Sequence, residues 1–206
     1  MSKRIFIFLR IMGLPLVPIL FFQPAIAHEG QYQGSDGWMK PISGDSIYNL
    51  KSPWISLEGE NVTLSSLRGH PVVAAMGYTS CESACPVIVE DMKKVEMGLP
   101  EKGKSSVIFA FFSFDSARDT PERLKKFAAN HRVDLKHWRF FQGPPKSVRK
   151  LAAVLGVSYK KDSEGKFDHS NLISLIDSNG IVKYQAVGLQ QDFKELQVKL
   201  LELISN

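Results

Sequence analysis

The chain carries two cysteines, Cys81 and Cys85, four residues apart in Gly77-Tyr78-Thr79-Ser80-Cys81-Glu82-Ser83-Ala84-Cys85-Pro86, directly after the apolar run Pro71 to Met76. A buried strand that runs into a thiol-bearing loop, with proline opening the helix beyond, places sulfur at a helix N-terminus. There the helix dipole favours thiolate over thiol. Thiolate is the form that binds soft metals or exchanges disulfides. Any fold for this chain has to present that junction.

The surrounding pattern is that of a mixed sheet. Trp54 to Leu57 and Val62 to Leu64 flank the turn-forming Glu58 to Asn61 as a strand-turn-strand. Val72 to Met76 reads as a buried strand, and Val87, Val89, Met92 and Val95 as a helix stopped by Gly98 and Pro100. Ser106 to Phe112 is too continuously apolar for a half-exposed strand and suits a central one covered on both faces. Thr120 is placed to cap a helix with Pro121 at its first position, running to Asn130. Trp138 to Gln142 follows as a strand, and Pro145 to Leu155 as a helix ended by Gly156. Leu172 to Ile176 and Ile181 to Ala186 are joined by Asp177-Ser178-Asn179-Gly180, a strong hairpin signal, before a helix from Asp192 to Ile204. This order predicts an α/β fold with a mixed central sheet, helices on both faces and an N-terminal β-hairpin. With thiols at the first strand-to-helix junction, it predicts a thioredoxin-like sandwich.

At 206 residues the chain supports one domain with a proper core. Its net charge of +5 does not argue for a nucleic-acid partner, because Lys3, Arg4 and Arg10 fall in residues 1–27 with none of the 21 acidic residues. That segment reads as a signal peptide: a positive start, an apolar stretch from Ile11 to Phe22, and the small-residue end Ala25-Ile26-Ala27. The rival is a retained membrane anchor, but the stretch after Arg10 is shorter than the ~20 residues that span a bilayer and contains Pro15 and Pro18. Residues 28–45, rich in Gly, Ser and Gln, read as a flexible lead-in to a domain over 46–206. Export from a bacterium places that domain in the oxidising periplasm. A structural disulfide is the plain alternative for the cysteine pair, although closing so short a loop removes little unfolded-chain entropy.

Two thiols do not decide between redox exchange and metal binding, so the histidines carry weight. His70, His131 and His137 read as solvated surface residues, and His28 would begin a mobile terminus that offers no fixed ligand geometry. His169 stands in the polar loop Phe167 to Asn171, just before the Leu172 strand. In a thioredoxin-like fold that loop faces the cysteine junction, because both lie at the same end of the sheet. Thioredoxins hold a cis proline there, and no proline follows Pro145 in this chain. Two soft thiolates and one imidazole suit Cu(I), which accepts three-coordination, whereas zinc asks for a fourth ligand. The three-residue spacer lets both sulfurs aim at one ion without holding them at disulfide distance.

Four stretches in order, Tyr78-Thr79-x-Cys81-x-x-x-Cys85-Pro86, Ser113-Phe114-Asp115-x-x-x-Asp119-Thr120-Pro121, Asp168-His169-Ser170 and Leu175-Ile176-Asp177-x-x-Gly180, resemble the signatures of the Sco/SenC family. The resemblance covers 46–204. It implies an exported or membrane-anchored thioredoxin-like protein that binds copper, as Cu(I) or Cu(II), through Cys81, Cys85 and His169 and serves assembly of cytochrome c oxidase. It also implies that Asp115 lies near the metal loop and influences transfer or partner contact, where the residue alone reads as a loop cap. The implied partners are the copper subunit of the oxidase or another cuproprotein, together with a thiol reductant or copper donor protein. Three departures stand out. Glu82 replaces a proline common after the first cysteine and sets an acid beside the thiols, which opposes thiolate formation; Met76 stands where an aromatic residue is usual; and the N-terminus reads as cleavable rather than anchored.

Three functions compete on these residues. One is a copper chaperone that passes metal to a site such as the dinuclear copper centre of the oxidase. Another is a thiol-disulfide oxidoreductase in which the more exposed Cys81 attacks and Cys85 resolves. The third is a redox or copper sensor, for which the chain offers no output domain. A peroxidase of the peroxiredoxin type would require Pro-x-x-x-Thr-x-x-Cys, and Thr79 lies two residues before Cys81.

Overall fold

The structure is a computed structural model and describes residues 44–205. The segment read as a signal peptide, and all but the end of the segment read as a lead-in, lie outside the described residues. No helix among the described residues is long and apolar enough to cross a membrane.

The central sheet has seven strands: β1 (Trp54–Ile55), β2 (Asn61–Val62), β3 (Val72–Gly77), β4 (Ile108–Ser113), β5 (Trp138–Gln142), β8 (Leu172–Ile176) and β9 (Val182–Val187). A separate pair, β6 (Tyr159–Lys161) and β7 (Phe167–His169), forms a small antiparallel hairpin. The order across the large sheet is β2-β1-β5-β4-β3-β8-β9. β3, β4 and β5 run parallel, while β8, β9, β1 and β2 join antiparallel. Among the described residues five α-helices accompany them: α1 (Ala84–Met97), α2 (Glu101–Lys104), α3 (Pro121–Asn130), α4 (Pro145–Leu155) and α5 (Lys194–Ser205). This is the thioredoxin-like sandwich that the pattern predicts.

The continuous apolar runs are central for the expected reason. β3 and β8 are buried throughout, and β4 at every residue but Ile108. Phe111 faces Phe127 of α3 and Phe140, while Phe112 on the opposite face meets Trp54 edge-on at 5.0 Å and stacks on Phe141. Burying each such ring contributes about 2 kcal/mol. α1 lies on β3 and β8, α3 on β5 and α5 on β9. Thr120 caps α3 by accepting from the Arg123 amide at 3.3 Å, and Gly156 ends α4 in the left-handed region at φ +68°.

The elements differ from the sequence reading in several places, among them a short helix α2 that it did not anticipate. β1 and β2 have two residues each, because Leu64–Leu67 turns into a 3-10 helix that buries Leu64 and Leu67 instead of prolonging the strand. α1 begins at Ala84, so Pro86 does not open the helix but sits inside its first turn, where its missing N–H has no partner to lose. Finally, His169 ends a strand rather than standing in a loop. Tyr159-Lys160-Lys161 and Phe167-Asp168-His169 flank the polar turn 162–166, but three residues a side are too few to show a strand period.

Topology then positions the site. Gly77 and Ser113 end β3 and β4 side by side. β8 runs the other way, with Ile173 beside Ala75, so the chain enters β8 at the end of the sheet where β3 leaves it. Residue 169, just ahead of that entry, is thereby delivered to the cysteine loop.

Candidate metal centre

The cysteine loop leaves β3 at Gly77 and turns on the Cys81 amide, which donates to the Tyr78 carbonyl at 3.4 Å. Cys81 lies ahead of α1 and Cys85 is its second residue. The Cys85 amide donates to Cys81 Sγ at 3.3 Å, so the first sulfur serves as the acceptor at the open end of the helix, where Ser83 makes no side-chain cap. The Tyr78 amide in turn donates to Cys85 Sγ at 3.3 Å. Both residues are free thiols, Cys85 fully buried and Cys81 8% exposed, which makes Cys81 the more accessible sulfur as expected.

His169 Nε2 approaches Cys85 Sγ to 3.7 Å, and its Nδ1 lies 3.2 Å from the Ser170 carbonyl. A carbonyl only accepts, so Nδ1 carries the proton and Nε2 keeps its lone pair towards the sulfurs. The two sulfurs and this nitrogen all lie within 4.8 Å of one another. Three ligands bound at about 2.0–2.3 Å around one ion stand about 3.5–4 Å apart, so the cluster needs only slight closure to hold a first-row metal. The aromatic rings of Tyr78 and Phe114 wall the imidazole at 6.1 and 5.1 Å between centroids.

The thiols are electrostatically unequal. Hydrogen bonding from the Cys85 thiol, helped by the amides of Cys85 and Ser83, holds the Cys81 thiol far below its ordinary range. The same bond to Cys81, together with burial, pushes Cys85 up. Glu82, expected to oppose thiolate, is exposed, and the hydrogen bonds reaching Cys81 prevail over it.

The carboxylates divide differently from the sequence reading. Among the described residues Asp115, buried at the end of β4, pairs through its carboxylate with Arg118 and takes no hydrogen bond from the thiols or His169. Asp119 is the acid tied to the cysteine loop. Fully buried, it accepts from the Thr79 amide at 2.9 Å, the Thr79 hydroxyl at 2.6 Å and the Ser113 hydroxyl at 2.6 Å, and its charge adds to the elevation of Cys85. Its place beside a helix cap masks this link, since Asp before Thr-Pro reads as local capping. Gly77 is the other residue that the sequence does not single out. A Cβ there would lie 2.9 Å from Cys85 Sγ and 2.7 Å from Phe111, so the absence of a side chain sets the seat of the second sulfur.

The other histidines among the described residues stay away from the cluster. His70 is exposed near the Ser106 carbonyl, while His131 and His137, half-buried rather than fully solvated, lie against Phe127 and Asp134. His28 lies outside the described residues. Met76 is buried in the core on β3.

A thioredoxin-like fold that brings two thiols and an imidazole together at the end of its central strands defines a protein that handles soft metals or disulfides. Residues 51–204 match the family described as SCO1/SenC, and the chain belongs to that family. It is 30% identical over 128 residues to the SCO1 protein homolog of Bacillus subtilis, covering 61% of this chain and 66% of that relative, just under two thirds of its length. The copper-bound ScoI of Bradyrhizobium japonicum superposes with a TM-score of 0.63 at 28% identity, over 74% of this chain and 96% of that one. BsSco, a member of the Sco family of cytochrome c oxidase assembly proteins in which a disulfide switch was identified, superposes with a TM-score of 0.64 at 26% identity, over 74% and 91%.

Proposed function

We propose that this protein is a copper chaperone of the periplasm, holding one copper ion between Cys81, Cys85 and His169 and passing it to a cuproprotein such as the copper subunit of cytochrome c oxidase. The observation that carries the reading is the convergence of the three ligand atoms, with the His169 lone pair directed at the sulfurs. Thiolate and imidazole are the donors that select copper over hard cations. Copper-bound ScoI supports the metal by kinship, and the family supports the client. Three ligands leave the ion under-coordinated, so an acceptor thiolate can enter before a donor leaves.

The test is anaerobic titration of the reduced protein. About one Cu(I) binds per chain, and His169→Ala weakens Cu(II) binding at least tenfold while both thiols remain titratable. Equal binding of both copper states by wild type and variant sinks the third-ligand assignment.

The inequality of the thiols favours a second reading, reduction of the acceptor's cysteines before metallation. Cys81 thiolate attacks the acceptor disulfide, forming a mixed disulfide and releasing one acceptor thiolate. Cys85 then gives up its proton and attacks Cys81 Sγ, leaving a Cys81–Cys85 disulfide and a second acceptor thiol; two electrons have passed to the acceptor. A thiol reductant resets the pair. A reduction potential near −270 mV, about that of thioredoxin, supports this step, and a strongly oxidising one excludes it.

A further inference from the structure

The geometry points to Arg118 as the positioning residue that latches the β6–β7 hairpin, and with it His169, against the cysteine loop; this rests on the copper reading above. The hairpin is three residues per strand, and a two-stranded ribbon of that size does not hold together in water by itself. What fixes it is its underside. Phe167 packs on Tyr78 and Phe114 at 5.1 Å each, and Tyr159 stacks on Phe114 at 5.2 Å. The Phe167 amide donates to the Tyr78 hydroxyl at 3.3 Å.

Arg118 closes this arrangement from outside. Its Nε pairs with the buried carboxylate of Asp115, and its Nη2 donates to the Gly165 carbonyl at the hairpin turn at 2.5 Å. Its guanidinium lies 5.9 Å from the ring centres of both Tyr78, in the cysteine loop, and Phe167, in the hairpin. One planar cation therefore touches the end of β4, the cysteine loop and the hairpin at once. Asp115 acts on the metal centre through this side chain: it fixes the guanidinium that fixes Gly165. Because His169 is paired with Tyr159 at the base of the same hairpin, loosening the turn frees the imidazole from the sulfurs.

The exchange of backbone amides in the metal-free, reduced protein tests the latch without copper. Arg118→Lys keeps a positive charge beside Asp115 but gives up the fork that reaches two oxygens and two rings. In this variant the amides of Phe167, Asp162 and Ser170, bonded to Tyr78, Lys166 and Ser158, exchange about tenfold faster, while the Phe109 amide in the central sheet keeps its wild-type rate. The double variant D115N/R118Q removes both charges, leaves no buried carboxylate unpaired, and shows the same local acceleration. Affinity for Cu(I) falls about tenfold in each. Wild-type exchange in the hairpin, or acceleration in step with Phe109, reduces Arg118 to a loop brace and overturns the proposal. So does undiminished copper affinity in a loosened hairpin. Failure of the wild-type protein to bind copper refutes the chaperone instead, and the metal-free comparison still decides the latch.

Discussion

Gly77→Ala puts a methyl group where the second sulfur sits. The new Cβ would stand 2.9 Å from Cys85 Sγ and 2.7 and 2.9 Å from two carbons of the Phe111 ring, against ordinary contacts of 3.4–4 Å. Both neighbours must retreat by about half an ångström or more to reach ordinary contact. Phe111 is held between Phe127 and Phe140 and is fully buried, so it has little room to yield. Overpacking of this kind costs about 1–3 kcal/mol, which lowers the Tm of a domain of this size by about 3–10 °C. The sulfur is the softer obstacle, and its retreat stretches the 3.3 Å bond from the Tyr78 amide and the 3.7 Å approach to His169. Two assays separate the parts: thermal unfolding of the metal-free protein reads the packing cost, and Cu(I) competition with a chromophoric chelator reads the displaced ligand. We expect both to fall, the affinity by about tenfold. A variant that melts within about 1 °C of wild type and binds copper as tightly would show that Cys85 is not seated by Gly77.

Asp119→Asn exchanges a buried carboxylate that takes three hydrogen bonds for an amide that can accept at only one atom; urea unfolding should show a loss of about 2–3 kcal/mol, and a loss under about 0.5 kcal/mol would detach Asp119 from the cysteine loop. The pH dependence of alkylation separates the thiols. An ordinary thiol loses reactivity tenfold per unit as pH falls below about 8.5, but Cys81, with its thiolate favoured, keeps its iodoacetamide rate down to about pH 6 while Cys85, held protonated and buried, stays unmodified. Mass mapping of the alkylated peptides checks the assignment, and equal labelling of the two cysteines contradicts it.

Most of the sheet was legible because its central strands are buried on both faces and leave no polar alternation to misread: Val72, Ala74 and Met76 are as apolar as Val73 and Ala75. The caps and turns at Thr120, Gly156 and Asp177 to Gly180 were equally local signals. The β6–β7 hairpin was missed because three-residue strands carry too short a period to stand out from a polar loop. Its stability comes from rings elsewhere in the chain, Tyr78 and Phe114. The thiols and His169 were singled out as candidates by residue type and by the expected end of the sheet. Asp119 escaped because its partners Thr79 and Ser113 lie on two other segments.

The sequence by itself determined the alternation of strands and helices, the thiol-bearing junction and the family, because these rest on local periodicity and on motifs read in order. Only the tertiary structure decided which carboxylate serves the cysteine loop, how Arg118 ties the His169 hairpin down, and why position 77 has no side chain. Those are contacts between segments distant along the chain, and packing fixes them where no local propensity can record them.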